Sequence, residues 1–471
     1  MALQSSISIA AAPEVDGKFD DDGRVKRTGT WITATSHIVT AVIGSGVLSL
    51  AWAMAQLGWV AGTISLVTFS LITLFTSFLL TDCYRYPNPV TGMRNCTYME
   101  MVKNILGGVQ YRFCGLAQYG NLIGISIGYT VTGSISMVAV KKSNCFHKYG
   151  HKADCVTQNY PFMVIFGIIE ILLSQIPDFH ELSWLSILAA IMSFGYASIG
   201  VALSIAKIAE GGIHDKTTLT GTIIGVDVTG TQKLWNTFQA VGNIAFAYAF
   251  SVVFVEIQDT LKSSPPENKA MKKANIAGVT TTSMFYMLSG FLGYAAFGNK
   301  APGNFLTGFG FYEPYWLIDI ANVFIVVHLV GAYQVFVQPV FVLVENWGRA
   351  RWPHSNFIAK EYYVNLPLVG TFRMNMFRLV WRTAFVTFST VMAILLPFFN
   401  SIVGLIGAFS FWPLTVYFPV EMYMKQAKVP RFSLVWFALK LLSGFCLIVT
   451  LVAIAGSVEG IITDLKTYKP F

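Results

Sequence analysis

After residue 27 the chain is a succession of long apolar runs separated by short polar stretches. Runs of spanning length lie at about 30–56, 59–82, 113–139, 161–177, 184–206, 235–257, 274–297, 315–345, 377–397, 401–424 and 432–457. About 20 apolar residues suffice to cross the hydrocarbon core as a helix. The pattern therefore predicts an all-α polytopic membrane protein with about eleven transmembrane helices. The first run is longer than one crossing needs, and its only glycines between Thr30 and Leu57 are Gly44 and Gly46, within Ile43-Gly44-Ser45-Gly46-Val47. This reads as two half-helices around an unwound turn. Backbone groups freed at membrane depth must be satisfied by protein, water or ligand, so such a break lines a cavity. The second half-helix, from near Val47, aims its positive dipole end and free N–H groups at that cavity, where a carboxylate would be held. Small residues also let two helices approach closely, and the motif alone leaves both readings open.

Composition supports the membrane class. Hydrophobic residues make up 54% of the 471 and charged residues only 12%, against about 25% charged in soluble domains. Lys and Arg accumulate in cytoplasmic loops. Placing the N-terminus inside puts most of the 32 Lys and Arg on the cytoplasmic side and the C-terminus outside, although Lys141, Lys142, Lys148 and Lys152 fall outside. Topology thus explains the net charge of +8, with anionic lipid headgroups as its partners and no need for nucleic acid. Residues 1–27 read as a disordered cytoplasmic tail without a signal peptide, and 28–471 as one transporter domain.

Cys145 and Cys155 share an outside loop and are expected to form a disulfide. His147 and His151 in that loop lack metal-site spacing, so no metal is expected. The sequon Asn95-Cys96-Thr97 falls inside and should carry no glycan.

An inverted-repeat transporter with a broken first helix should have a second broken helix at the corresponding place in its other half. The repeats would cover about 28–208 and 233–425, with 432–457 an extra helix. The corresponding segment is helix six, with Asn243, Phe246, Ala247, Tyr248 and Phe250. It has no glycine pair or proline at its centre, so an ordinary packed helix remains open.

The stretch Thr35-Ser36-His37-Ile38-Val39-Thr40-Ala41-Val42-Ile43-Gly44-Ser45-Gly46-Val47-Leu48, with Ala51-Trp52-Ala53 and Gln56-Leu57-Gly58-Trp59 after it, resembles the first helix of the plant amino acid permeases, of the amino acid and auxin permease family. Ser174-Gln175-Ile176-Pro177-Asp178-Phe179, Ser183-Trp184-Leu185-Ser186 and Glu256-Ile257-Gln258-Asp259-Thr260-Leu261 resemble the family further on. The resemblance implies the fold of the bacterial leucine transporter, in the amino acid, polyamine and organocation superfamily: five plus five helices and one more, with helices 1 and 6 broken. It implies that Ile43 to Val47, centred on Gly44, Ser45 and Gly46, bind the substrate carboxylate. Asn243 and the stretch from Phe246 through Ala247 and Tyr248 to Phe250 would take the amino group and shape the side-chain pocket. Tyr129, on helix three, would close the site.

Ionisable residues at membrane depth are costly and are functional candidates by default. They are His37, Glu170, Glu256, Asp319, His328 and Glu421, of which His37, Glu256, Asp319 and His328 are the candidates for proton coupling. Pairing with loop lysines such as Lys262 or Lys425 would give Glu256 and Glu421 a structural role. On helix eight, Asp319, Asn322, Val326 and Tyr333 share one side, which should face inward, and His328 falls opposite. In sodium-coupled members of the fold, helix-eight hydroxyls help to hold the ion, and this chain has neither Ser nor Thr between Tyr315 and Glu345. The expectation is a proton-coupled amino acid symporter of the plasma membrane. It would work as a monomer by alternating access on neutral, acidic or basic L-amino acids, without a cofactor and without sodium. An auxin carrier or a non-transporting amino acid sensor on the same scaffold is the alternative. No nucleotide loop, metal helix or nucleophile motif points to an enzyme.

Overall fold

The computed structural model describes residues 26–150, 152–176, 183–210, 217–309, 314–366 and 370–468. All but two residues of the tail expected at 1–27 lie outside them. The helices are α1 (Trp31–Val42), α2 (Leu50–Cys83), α3 (Tyr98–Leu106), α4 (Gly108–Tyr149), α5 (Tyr160–Ser174), α6 (Ser183–Ala209), α7 (Gly230–Ala247), α8 (Phe254–Asp259), α9 (Glu267–Phe297), α10 (Tyr315–Arg351), α11 (Asn356–Ala359), α12 (Met376–Leu395), α13 (Phe399–Ser410), α14 (Phe418–Gln426) and α15 (Leu434–Leu465). Among the described residues, strands form two small antiparallel pairs, Arg85–Tyr86 with Met93–Arg94 and Glu361–Leu366 with Gly370–Asn375. Among the described residues, 8 helical segments are long and apolar enough to cross a membrane.

The first of these, Ser45–Cys83, is not one straight rod. At Gly58 the backbone turns to φ 76°, a left-handed conformation that glycine adopts without the Cβ clash other residues suffer. A Cβ on Gly62 would lie 2.4 Å from the Met54 sulfur, and one on Gly290 would touch both Leu50 and Leu66. Eight residues of a straight helix span about 12 Å, so the chain folds back at Gly58 and its two arms pack side by side. The backbone N–H groups of Trp59 and Val60, at the bend, donate to Thr218 and Leu219 of a loop laid across it.

Apolar side chains cover the outside as well as the core. On α15, Leu441, Phe445, Ile448 and Leu451 are all exposed, as are Ile64, Leu71 and Phe75 on α2. A contiguous apolar exterior of this kind is a lipid-facing surface. Where helix meets helix, the contacts run through small residues, because lipid tails are as apolar as leucine and association depends on close packing. The tightest such contact joins α7 to α13: a Cβ on Gly242 would lie 2.6 Å from the Gly404 carbonyl oxygen, and one on Gly407 2.4 Å from the Gly242 carbonyl oxygen. On the far side of α4, Cys145 and Cys155 are joined by a disulfide. Asn95, the sequon residue, is 1% exposed, and its amide donates to the Tyr84 carbonyl at 3.0 Å, so a glycan has no room there.

Gly404→Val would drive methyl groups against the Asn243 amide oxygen and the Gln239 carbonyl, 2.8 and 3.2 Å from even a single Cβ. Overpacking of this kind costs about 1–3 kcal/mol. The variant should melt several degrees below the parent in detergent. An unchanged melting temperature would contradict the tight α7–α13 seam.

Candidate functional site

Two interruptions of regular helix face each other in the interior. The first follows α1, which a capping box on Thr30 starts. Ile43 (φ −74°, ψ 77°) leaves the helical region and Gly44 is extended (φ −118°, ψ −154°). The chain then resumes as a tight turn over Ser45–Ser49, whose first hydrogen bond runs from Val47 N–H to the Gly44 carbonyl at 3.4 Å. The N–H groups of Ser45 and Gly46 precede any acceptor within that turn, as at every helix start. The second interruption follows α7: Tyr248 (φ −93°, ψ 3°) ends the helix, and another short turn, Ser251–Val253, leads into α8.

Tyr286 of α9 links the two. Its hydroxyl donates to the Val42 carbonyl at the end of α1 and lies 2.8 Å from the Ala247 carbonyl at the end of α7. A phenol has one proton, so two carbonyls that have lost their helical partners share one donor. Sequence reading missed this residue, because a tyrosine in a hydroxyl-rich helix gives no local sign of which carbonyls it will meet.

The two glycines have different surroundings. A Cβ on Gly46 would lie 2.9 Å from Ala247 Cα and 3.3 Å from the Phe246 ring, so Gly46 is where the two interruptions touch. A Cβ on Gly44 would find nothing nearer than His328 Nε2, at 3.8 Å. The close-packing reading of the motif thus applies to Gly46, whereas Gly44 has room for a methyl group in ordinary contact with His328. His328 is 3% exposed, and its Nδ1 lies 2.8 Å from the Ala189 carbonyl of α6. A carbonyl only accepts, so Nδ1 carries the proton, and in the neutral ring Nε2 is a bare lone pair. Nε2 has no partner among the described residues. The Tyr196 ring stands edge-on to the imidazole at 5.7 Å.

The face assignment on α10 needs correction. His328 is buried along with Asn322 and Tyr333, because α10 is flanked by α4 on one side and α6 on the other. A helix held between two neighbours has two inward faces.

Of the other candidates, Ile43, Ser45 and Val47 are buried at the first interruption. Tyr129 is buried on α4, edge-on to Phe336. Tyr248 is buried against the Tyr286 ring at 5.2 Å, and Phe250 packs on Phe254. Asn243, one turn earlier on α7, lies 3.4 Å from the Asn400 amide oxygen. His37 is exposed on the stripe Thr33, Ser36, His37 of α1, and Glu256 is exposed on α8. Neither touches the interruptions. Asp319 accepts from Asn144 of α4 at 2.8 Å, which ties the start of α10 to the end of α4, about 13 Å along the helix from His328. Glu421 pairs with Lys440 of α15 at 2.6 Å, not with a loop lysine. Glu256 has no ion pair among the described residues.

A cavity of about 760 Å³ is lined by Trp52, Ile135, Asn236, Gln239, Asn304, Asn400 and their neighbours, on the side from which α7 approaches its break, and it stops short of both interruptions. The opposite end is closed. There Gly29 and the segment after α8 pair through their backbones, Gly29 N–H to the Thr260 carbonyl and Lys262 N–H to the Gly29 carbonyl, both at 3.0 Å. Glu267 accepts from both Arg27 (2.9 Å) and Arg85 (2.6 Å), and Tyr84 donates to Asp259 at 2.5 Å.

Residues 27–463 match the family model described as transmembrane amino acid transporter protein. Amino acid permease 6 of Arabidopsis thaliana is 66% identical, covering 100% of this chain and 98% of the relative. Amino acid permease 1 of the same plant is 63% identical over 96% of this chain and 93% of its own length. Lysine histidine transporter-like 6, also from Arabidopsis thaliana, is 29% identical over 99% of each. Among solved structures, MhsT in complex with L-phenylalanine superposes with a TM-score of 0.54 at 10% identity, over 91% of this chain and 100% of that one. Mhp1, a nucleobase-cation-symport-1 family transporter in a closed conformation with bromovinylhydantoin bound, gives 0.53 at 13% identity, over 95% of each. These two likenesses establish the fold.

The glycine geometry separates two effects. Gly46→Ala should lower the melting temperature and abolish uptake together, since its methyl meets the α7 backbone. Gly44→Ala should leave the melting temperature unchanged yet cut uptake about tenfold or more, since its methyl fits without a clash but covers His328 Nε2 at 3.8 Å. Thermal melts and labelled amino acid uptake on the same preparations would test this. The reverse pattern would refute the assignment.

Proposed function

Since the chain belongs to the transmembrane amino acid transporter family, we propose that it imports L-amino acids by proton-coupled symport through alternating access. The observation that carries this reading is the meeting of two helix interruptions beside a vacant lone pair: the free N–H groups of Ser45 and Gly46 on one side, the carbonyl end of α7 on the other, and His328 Nε2 next to Gly44. A zwitterion matches that arrangement. Its carboxylate suits the N–H groups and positive dipole end at Ser45 and Gly46, and its ammonium suits the partially negative carbonyl end of α7. Phe246, half-buried beside Gly46, would meet the substrate side chain, with Tyr129 and Tyr196 across from it.

In this reading the chain crosses the membrane eleven times, with α1, the α2 arm before Gly58 and the turn between them as one pass, and α7 with α8 as another. The short α5 and the polar α9 also cross. The basic loops place the N-terminus inside. The cavity then opens outward and the Arg27–Glu267–Arg85 cluster closes the cytoplasmic end, one of the two states that alternation requires. Release to the inside would need that cluster to part.

Proton coupling is favoured over sodium because α10 offers no Ser or Thr hydroxyl to a metal ion between Tyr315 and Glu345. One charge moved through 100 mV gains about 2.3 kcal/mol, enough for roughly 50-fold accumulation of a neutral solute. Uptake by a transport-deficient yeast expressing the chain should rise as external pH falls from 8 to 5 and persist when choline replaces sodium. Uptake that vanishes without sodium, or is flat with pH, would refute the coupling. Binding without movement of label would favour a sensor.

A further inference from the structure

Glu170, on α5, is 0% exposed and lies where α5 packs against α4, α10 and α12. One carboxyl oxygen is held: the Gln334 amide of α10 donates to Oε2 at 2.6 Å and to Ser174 Oγ at 3.1 Å. The other, Oε1, has no partner among the described residues. The cation of this cluster, Arg382 of α12, is committed elsewhere. Its Nε donates to Glu345 Oε1 at 2.7 Å, and its Nη1 donates to the Ser174 carbonyl at 2.7 Å, one turn along α5 from Glu170.

An ionised carboxylate buried without a cation is far more costly than a neutral carboxyl, whose carbonyl oxygen accepts the same amide bond. The arrangement is therefore that of a carboxylic acid with its proton on Oε1. The groups around it are Gln334 and Tyr333 on α10 and Ser174 on α5, with Arg382 of α12 and its partner Glu345 reached through Ser174. That cation does not touch Glu170. Tyr333 shares a hydrogen bond with Ser389 at 2.8 Å, and Arg378 lies 3.8 Å from Glu345.

We propose that Glu170 is the proton-binding site of the transport cycle, loaded in this arrangement and emptied toward the Ser174–Arg382–Glu345 end. This rests on the proton-coupled reading given above. Loss of the proton leaves a carboxylate one turn from Arg382, which can exchange Glu345 for it. Oε2 is bound to Gln334, six residues or about 9 Å along α10 from His328. A repacking at Glu170 is therefore delivered by one rigid helix to the interruption at Gly44. Of the four expected proton carriers, His37, Glu256 and Asp319 lie away from this path, and His328 stands at its far end beside Gly44.

The experiment uses the purified full chain in proteoliposomes, with three readouts: amino acid–driven proton influx, counterflow exchange of labelled amino acid, and melting temperature. Glu170→Gln should lose about tenfold or more of the proton influx and keep exchange within about twofold, with exchange flat between pH 5.5 and 8. Parental proton influx in this variant would overturn the proposal, as would joint loss of influx and exchange in a protein with the parental melting temperature. Should the variant fail to fold, the parent decides. Dicyclohexylcarbodiimide, which attacks protonated buried carboxyls, should modify Glu170 at pH 6 and block influx, and an unmodified Glu170 by peptide mass mapping would overturn the proposal. A parent that exchanges label but moves no protons would instead refute the coupling reading beneath it.

Discussion

The structure depends on the satisfaction of backbone polar groups where helices stop inside an apolar medium. Two chain segments leave the helical path at membrane depth, and each such departure strands carbonyls and N–H groups that cost several kcal/mol apiece if unpaired in hydrocarbon. Tyr286 serves one carbonyl from each interruption, and the contact of Gly46 with Ala247 brings the interruptions close enough to share it. The N–H groups of Ser45 and Gly46 have no backbone acceptor among the described residues.

Everything around this junction holds it in register. α7 is fixed by the glycine seam with α13 and by α15, whose Gly456 would place a Cβ 2.7 Å from the Gln239 N. At the end beside the cavity Lys233 donates to the Gln56 carbonyl and, at 2.8 Å, to the Thr220 carbonyl, so one ammonium group gathers the first arm of α2, the loop across it and the start of α7. At the opposite end the same two parts of the chain are joined by the Gly29–Thr260 backbone pair and the Arg27 and Arg85 contacts with Glu267. The two interrupted segments are thus tied to each other at both ends, while Tyr129, Glu170 and His328 are mounted on α4, α5 and α10, which pack on one another and on α12.

The charged residues follow the same economy. Glu267 is served by two arginines, Glu345 by Arg382, and Glu421 by Lys440. Buried ions are tolerated when paired with good geometry. Glu170 stands apart because it is fully buried with an amide, not a cation, as its partner.

How much of this could be read from the chain depends on range. Apolar runs of crossing length, the glycine pair at 44 and 46, the cysteines at 145 and 155 and the polar residues at membrane depth are local properties, and they were enough for the helical membrane class, the place of the first interruption and a list of candidates. The second interruption had no glycine pair or proline to mark it, and its position rested on resemblance. What the sequence could not hold was the pairing of surfaces. That Gly46 meets Ala247 while Gly44 faces His328, that α10 is buried on two sides so that His328 points inward, that Glu421 finds Lys440, and that Tyr286 serves two carbonyls some forty and more than two hundred residues away all follow from which helices are neighbours. Hydrophobic periodicity determines which side of a helix is buried but not against what, because apolar burial is non-directional. Only the packed tertiary structure, where close contact and hydrogen-bond geometry are specific to a few tenths of an ångström, decides which polar groups are left without partners and so where the chemistry is.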